Sequence, residues 1–168
     1  NSNRKILVLL FFIFPLLIFV QKNNSQNLAL ITNQGENTLS IIDLNKLTLI
    51  KKINVGKSPL GIQIIKKRGS AVVGNVESQS LSIIDIKKNK VIKTVDLKTA
   101  PLGMITHPSN DKLFITSWYE NQFLVLSTKD FSILNKIEGV EVISICDINI
   151  KKKKIKSAVT TKKASQII

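Results

Sequence analysis

The segment ALITNQGENTLSIIDLNKLTLIKKINVGKSPLG (29–61) is answered by AVVGNVESQSLSIIDIKKNKVIKTVDLKTAPLG (71–103), 42 positions later. LSIID stands at 39–43 and 81–85, PLG at 59–61 and 101–103, and ALITN at 29–33 faces AVVGN at 71–75. FITS (114–117) and FLVLS (123–127) continue the same spacing. Several separate landmarks at one period mark an internal repeat. The first two copies are close, the third has diverged, and a fourth begins near Ile155.

Each copy carries four short apolar runs. In the first they are LALIT (28–32), LSIID (39–43), LTLIKKINV (47–55) and GIQII (61–65). The stretches between them hold turn formers: Asn33–Asn37 with Gly35, Leu44–Lys46, Gly56–Pro59 and Lys66–Gly69. The runs are rich in Ile, Val, Leu and Thr, which fit a pleated surface. No sustained 3.6-residue period appears beyond residue 27, so helices are not expected there. Short β-rich runs at regular spacing predict an all-β chain. Four of them in some 40–45 residues form the unit of a β-propeller blade.

The order A-L-I-T-N, L-S-I-I-D, K-L-T-L-I-K-K-I-N-V-G, S-P-L-G-I resembles the YVTN-type β-propeller repeat. In that family a Y-V-T-N strand leads to V-S-V-I-D, then to a strand ending in V-G, then to P-x-G-I-A-V. The resemblance covers residues 28–150 and extends at fold level to the propeller subunits of quinone-dependent amine dehydrogenases. The third copy departs from it, with Ser127 in place of Asp43 and Asp85, and Val142-Ile143-Ser144 in place of P-L-G. The resemblance implies that the P-x-G-I strand is innermost, with three strands running outward. Pro59, Gly61, Pro101 and Gly103 would then be structural, the glycines where blades converge and a side chain would crowd its neighbours.

Residues 28–168 hold about 3.4 repeats, divided as 28–69, 70–111, 112–154 and 155–168. Propellers have about 4–8 blades. The chain also begins at Asn1 rather than a Met, and a fragment or a truncated gene product is expected. An open set of blades would leave strand edges unpaired.

Residues 1–27 are of another kind. Arg4 and Lys5 precede Ile6–Val20, fifteen residues without a charge, interrupted by Pro15. A basic start and a short apolar run are the pattern of a secretory signal, and the run is short for a membrane span of about 20 residues. A signal peptide or an N-terminal hydrophobic helix serving as anchor is expected. The remainder of the chain would then be periplasmic, secreted or membrane-anchored.

The 168 residues are 43% hydrophobic, enough for a packed core, and carry a formal charge of +14. Nearly all the cations are Lys, with Arg4 and Arg68 the only arginines, so the Arg forks of specific nucleic-acid sites are missing and nucleic acid is not the expected partner. A single cysteine, Cys146, rules out an intramolecular disulfide and a Cys-based metal site. His107 is the only histidine and lies in the turn HPSND (107–111), where Pro108, Ser109, Asn110 and Asp111 supply turn chemistry. GKSPLG (56–61) contains Gly-Lys-Ser but lacks the upstream glycine of a phosphate loop. No catalytic, cofactor-binding or metal-binding set is predicted.

In a four-stranded meander the turns alternate between two rims. One rim would gather Lys66, Lys67, Arg68, Lys87, Lys88 and Lys151, Lys152, Lys153, Lys154, with Lys46, Lys90 and Lys129. An anionic membrane surface is one partner such a rim would suit; a solvated Lys-rich face is the alternative. The other rim would gather Glu36, Glu77, Glu120, Glu138 and Glu141, diluted by Lys57, Lys98, Lys162 and Lys163. It would also carry the aromatic pair Trp118–Tyr119, which could anchor a protein or small ligand or pack against the next blade. The expected role is a non-catalytic binding scaffold of the cell envelope. The alternatives are a propeller subunit of a quinone-dependent dehydrogenase-like system or a non-functional remnant.

Overall fold

The computed structural model describes residues 27–140 together with the strands Ile145–Lys151 and Lys154–Val159. The expected N-terminal helix, Lys152, Lys153 and the divergent segment 142–144 lie outside the described residues. Among those residues, no helix is long and apolar enough to cross a membrane.

The strands form a series of antiparallel meanders. The first sheet holds β1 (Leu28–Asn33), β2 (Thr38–Asp43) and β3 (Thr48–Asn54). The second holds β4 (Pro59–Ile65), β5 (Ser70–Asn75), β6 (Ser80–Asp85) and β7 (Lys90–Asp96). The third holds β8 (Pro101–Thr106), β9 (Lys112–Ser117), β10 (Gln122–Ser127) and β11 (Ile133–Glu138). A hairpin follows, β12 (Ile145–Lys151) with β13 (Lys154–Val159).

Register repeats with the sequence. Ala29 pairs with Ile42, Ala71 with Ile84 and Leu113 with Leu126. The ladder to the next strand slips at Ile41/Ile42, Ile83/Ile84 and Val125/Leu126. A bulge at the same place in each of the first three sheets bends the ladder locally and increases its twist. The hairpin turns repeat as well: Asn37, Gln79 and Asn121 have left-handed backbone, and so do Leu47, Asn89 and Phe131.

The sheets pack face to face through period-two side chains. Ala71 and Val73 of β5 join Leu39, Ile41, Ile53 and Ile84 in a core between the first and second sheets. Val72, on the opposite face of the same strand, joins Leu81, Ile83, Leu113, Ile115, Leu124 and Leu126 in a core between the second and third. All six residues of β5 are buried, as a strand covered on both faces must be.

The PLG strands lie at one edge of their sheets and meet one another. A Cβ on Gly61 would run into the carbonyl oxygen of Leu102 on β8, so the two backbones approach too closely for any side chain there. On β5, a Cβ on Gly74 would lie 3.2 Å from the Pro101 carbonyl oxygen. Gly103 donates its N–H to Thr116 Oγ1 at 2.9 Å. The opposite edges, β3, β7 and β11, are largely solvent-exposed.

Candidate functional site

Backbone hydrogen bonds sort the turns into two rims. On one rim Leu44 N–H donates to Asn27 O, Ile86 N–H to Gly69 O and Thr128 N–H to Asp111 O. These bonds recur every 42 residues and join the turns 44–47, 66–69, 86–89, 107–111 and 128–132. On the other rim Val55 N–H donates to Asn37 O, Leu97 N–H to Gln79 O and Val140 N–H to Asn121 O. That rim joins the loops 34–37, 55–58, 76–79, 97–100 and 118–121.

The second rim carries a buried polar joint that sequence reading missed. Asn75, at the end of β5, is 0% exposed. Its Nδ2 donates to Ser80 Oγ (3.2 Å) and Ser82 Oγ (3.0 Å), and its Oδ1 accepts the Gly56 N–H (3.1 Å). One amide thus ties its own hairpin to the loop arriving from the preceding sheet. Gly56 is required for this approach, since a Cβ there would lie 2.6 Å from Asn75 Cγ. Asn33 repeats half of the joint, donating to Thr38 Oγ1 (2.9 Å) and Ser40 Oγ (2.8 Å). The signal was present: Asn33 and Asn75 are one period apart, each followed by hydroxyl residues five and seven positions later.

In the third sheet the joint is rebuilt around Glu120. Ser117 stands where Asn75 stands, and Glu120 stands where Glu36 and Ser78 stand. Thr99 Oγ1 donates to Glu120 Oε2 at 2.6 Å, Ser117 Oγ donates to the same oxygen, and Ala100 N–H reaches it at 3.4 Å. Thr99 and Ser117 are buried. Burial alone would raise the Glu120 pKa, but the bonds from Ser117, Thr99 and the Ala100 N–H outweigh it and hold the carboxyl below its usual value. Glu36 instead pairs with Lys52 at 2.6 Å, and Glu77 is exposed.

Trp118 and Tyr119 sit on this pinned loop. Trp118 N–H donates to Ala100 O at 2.9 Å, as Val76 N–H donates to Ser58 O one repeat earlier. The side chains differ in fate. Val76 is buried, whereas Trp118 is 47% and Tyr119 69% exposed. The two rings stack on each other with centroids 5.8 Å apart. The pair therefore presents one aromatic ledge to solvent, and does not fill a core.

The first rim gathers Lys46, Lys66, Lys67, Arg68, Lys87 and Lys129, all exposed. Among the described residues none of these six forms an ion pair; Lys88 pairs with Asp85 at 3.5 Å. Lys151 and Lys154 close the β12–β13 hairpin. The carboxylates of this rim are engaged by turns. Asp43 accepts from the N–H groups of Asn45 (2.9 Å) and Lys46 (3.1 Å), and Asp85 from that of Lys88 (2.9 Å). Asp130 accepts the hydroxyl and N–H of Ser132, which hold its pKa down to about 2. His107 is likewise a turn residue: its Nδ1 accepts the Ser109 N–H, and its ring packs edge-on against Phe114.

Comparison with known structures adds the fold. Hydrazine synthase from Kuenenia stuttgartiensis superposes with a TM-score of 0.66 at 19% identity, over 70% of this chain and 35% of that one. A functionally unknown protein from Desulfotomaculum acetoxidans gives 0.66 at 13% identity, over 73% and 40%. AztD from Citrobacter koseri, in its apo form, gives 0.52 at 17% identity, over 62% and 30%. The fold is propeller-like. The sheets described above correspond to its blades, and the chain spans between 30% and 40% of the length of these matched structures. No family model and no curated protein matches the sequence.

Proposed function

We propose that the chain is a non-catalytic propeller scaffold of the cell envelope, built from YVTN-type repeats. It binds a protein or small ligand on the rim that carries Trp118 and Tyr119. The observation behind this reading is the exposed aromatic stack on a loop fastened by Ala100, Thr99 and Ser117. Exposed aromatics on an ordered loop are the usual anchors of an interface, and a loop already fixed loses little freedom when a partner docks. Glu77 and Glu120 lie on the same rim, so a partner with cationic or hydrogen-bond-donating groups suits it. The repeat assignment is supported by the order ALITN, LSIID and SPLGI, and the envelope location by the basic start and the apolar run Ile6–Val20.

Trp118 is the only tryptophan, so its fluorescence reports on this rim directly. The test is capture of partners from envelope extract by the full chain and by a Trp118→Ala/Tyr119→Ala variant. Titration of any partner lost by the variant follows, with Trp118 emission as readout. A weakening of about ten-fold or more is expected. A set of partners identical for both proteins would refute the assignment of this rim.

A further inference from the structure

The basic rim carries more than charge. Leu44 and Leu47, in the turn between β2 and β3, are 47% and 81% exposed and flank Lys46. Leu47 holds a left-handed backbone (φ 53°) that leucine adopts only at a cost; the matching position in the next blade is Asn89, which takes that conformation readily. Among the described residues Lys46, Lys66, Lys67, Arg68 and Lys87 form no ion pair, although Lys67 Nζ donates to the Ser109 carbonyl at 2.7 Å. Two exposed leucines among these cations form a surface suited to a lipid interface, where apolar side chains enter the acyl boundary and cations meet headgroups.

Chain entry falls at the same place. Asn27 O accepts the Leu44 N–H at 2.8 Å, and Asn27 Nδ2 donates to Asn45 Oδ1 at 3.2 Å. The chain thus enters β1 beside the leucine turn. Residues 21–27 separate that point from the apolar run Ile6–Val20. Seven residues reach at most about 25 Å, little more than the roughly 20 Å length of a six-residue strand. A run bound in a bilayer therefore keeps the basic rim, where the chain enters β1, within about 25 Å of the headgroups.

We infer that the rim of Leu44, Lys46, Leu47, Lys66, Lys67, Arg68 and Lys87 docks on an anionic lipid surface, leaving the Trp118 rim facing away. The inference does not depend on what the Trp118 rim binds.

The test is lysine acetylation footprinting of the full chain, read by mass spectrometry. The chain is placed on vesicles of phosphatidylcholine alone or mixed with phosphatidylglycerol, in about 0.05 M and about 0.5 M NaCl. On the anionic vesicles at low salt, Lys46, Lys66, Lys67 and Lys87 should react at least about three-fold more slowly than on neutral vesicles. High salt should erase most of the difference, while Lys57 and Lys98 on the other rim should react alike throughout. K66E/K67E/R68E should abolish the protection of Lys46 and Lys87, and L44S/L47N should reduce it, with far-UV circular dichroism confirming the fold. Equal labelling of both rims, or protection that persists on neutral vesicles and at high salt, would overturn the inference. So would protection of the same lysines by transfer RNA to the same degree without vesicles, which would assign the rim to nucleic acid.

Discussion

Replacing Asn75 by Ala removes three hydrogen bonds from a site that solvent does not reach. The two serine hydroxyls lose a donor but keep their own O–H free to donate elsewhere, whereas the Gly56 N–H loses its acceptor. The Gly56 N–H is partly buried, and orphaning it costs about 1–3 kcal/mol, while the vacated amide volume adds a cavity term of about 1 kcal/mol. A loss of about 3 kcal/mol is expected. At a urea m-value of about 1.5 kcal/mol/M, the midpoint of the full chain should fall by about 2 M with the slope unchanged. Asn33 supplies the internal control. It makes the two hydroxyl bonds and, among the described residues, no bond equivalent to the one from Gly56, and it is only partly buried. Asn33→Ala should therefore cost about 1 kcal/mol. The contrast between the two variants isolates the link between blades from the hairpin bonds both residues share. If Asn75→Ala destabilised no more than Asn33→Ala, the amide would not be the joint between blades, and the reasoning would fail.

Three further outcomes follow from the geometry. Gly61→Ala should lower stability by about 3 kcal/mol, because the new methyl meets the Leu102 carbonyl and β4 must move from β8; Gly35→Ala, with nothing within 4 Å, should stay within about 0.5 kcal/mol of wild type. Leu47→Asn should raise the thermal midpoint, by relieving about 0.5–1 kcal/mol of left-handed strain at an exposed site, whereas Phe131→Asn, at a left-handed position with a buried ring, should lower it. Glu120 has a folded pKa below its unfolded value, so its contribution to stability is complete above about pH 4.3 and is lost as pH falls through the folded pKa. Glu120→Gln should remove that part of the acid dependence, measured as urea midpoints across the range, and an unchanged profile would show that the carboxylate does not carry the joint.

What the sequence made legible was whatever repeats by side-chain class. LSIID at two positions marked a strand because most of its Leu and Ile residues are core residues: Leu39, Ile41 and Ile84 fill one core and Leu81 and Ile83 the other, and an apolar requirement repeated at the same positions leaves a strong trace. The alternation of turns between rims followed from strand counting, and the backbone bonds that join those turns recur every 42 residues on the rim of Leu44, Ile86 and Thr128. Joints between blades were harder to see, because one function is met there by different residues. Asn75 binds the preceding loop with an amide, whereas Ser117 and Glu120 bind it with a hydroxyl and a carboxylate. The left-handed residue of the connecting loop also moves, from Ser58 in one blade to Lys98 in the next, so no single letter marks it. Val76 and Trp118 show the same limit in reverse: alignment makes them equivalent and their N–H groups make equivalent bonds, yet one is buried and the other exposed. Backbone position is inherited by the repeat, but side-chain fate depends on size, and an indole does not fit where a valine does. That departure from the repeat left an aromatic ledge on one rim, just as Leu47, in place of the asparagine its turn prefers, left an apolar tip on the other. Where a propeller keeps its backbone but breaks its own pattern at an exposed turn, the break costs stability or solubility, and such positions are the ones to test first for a partner.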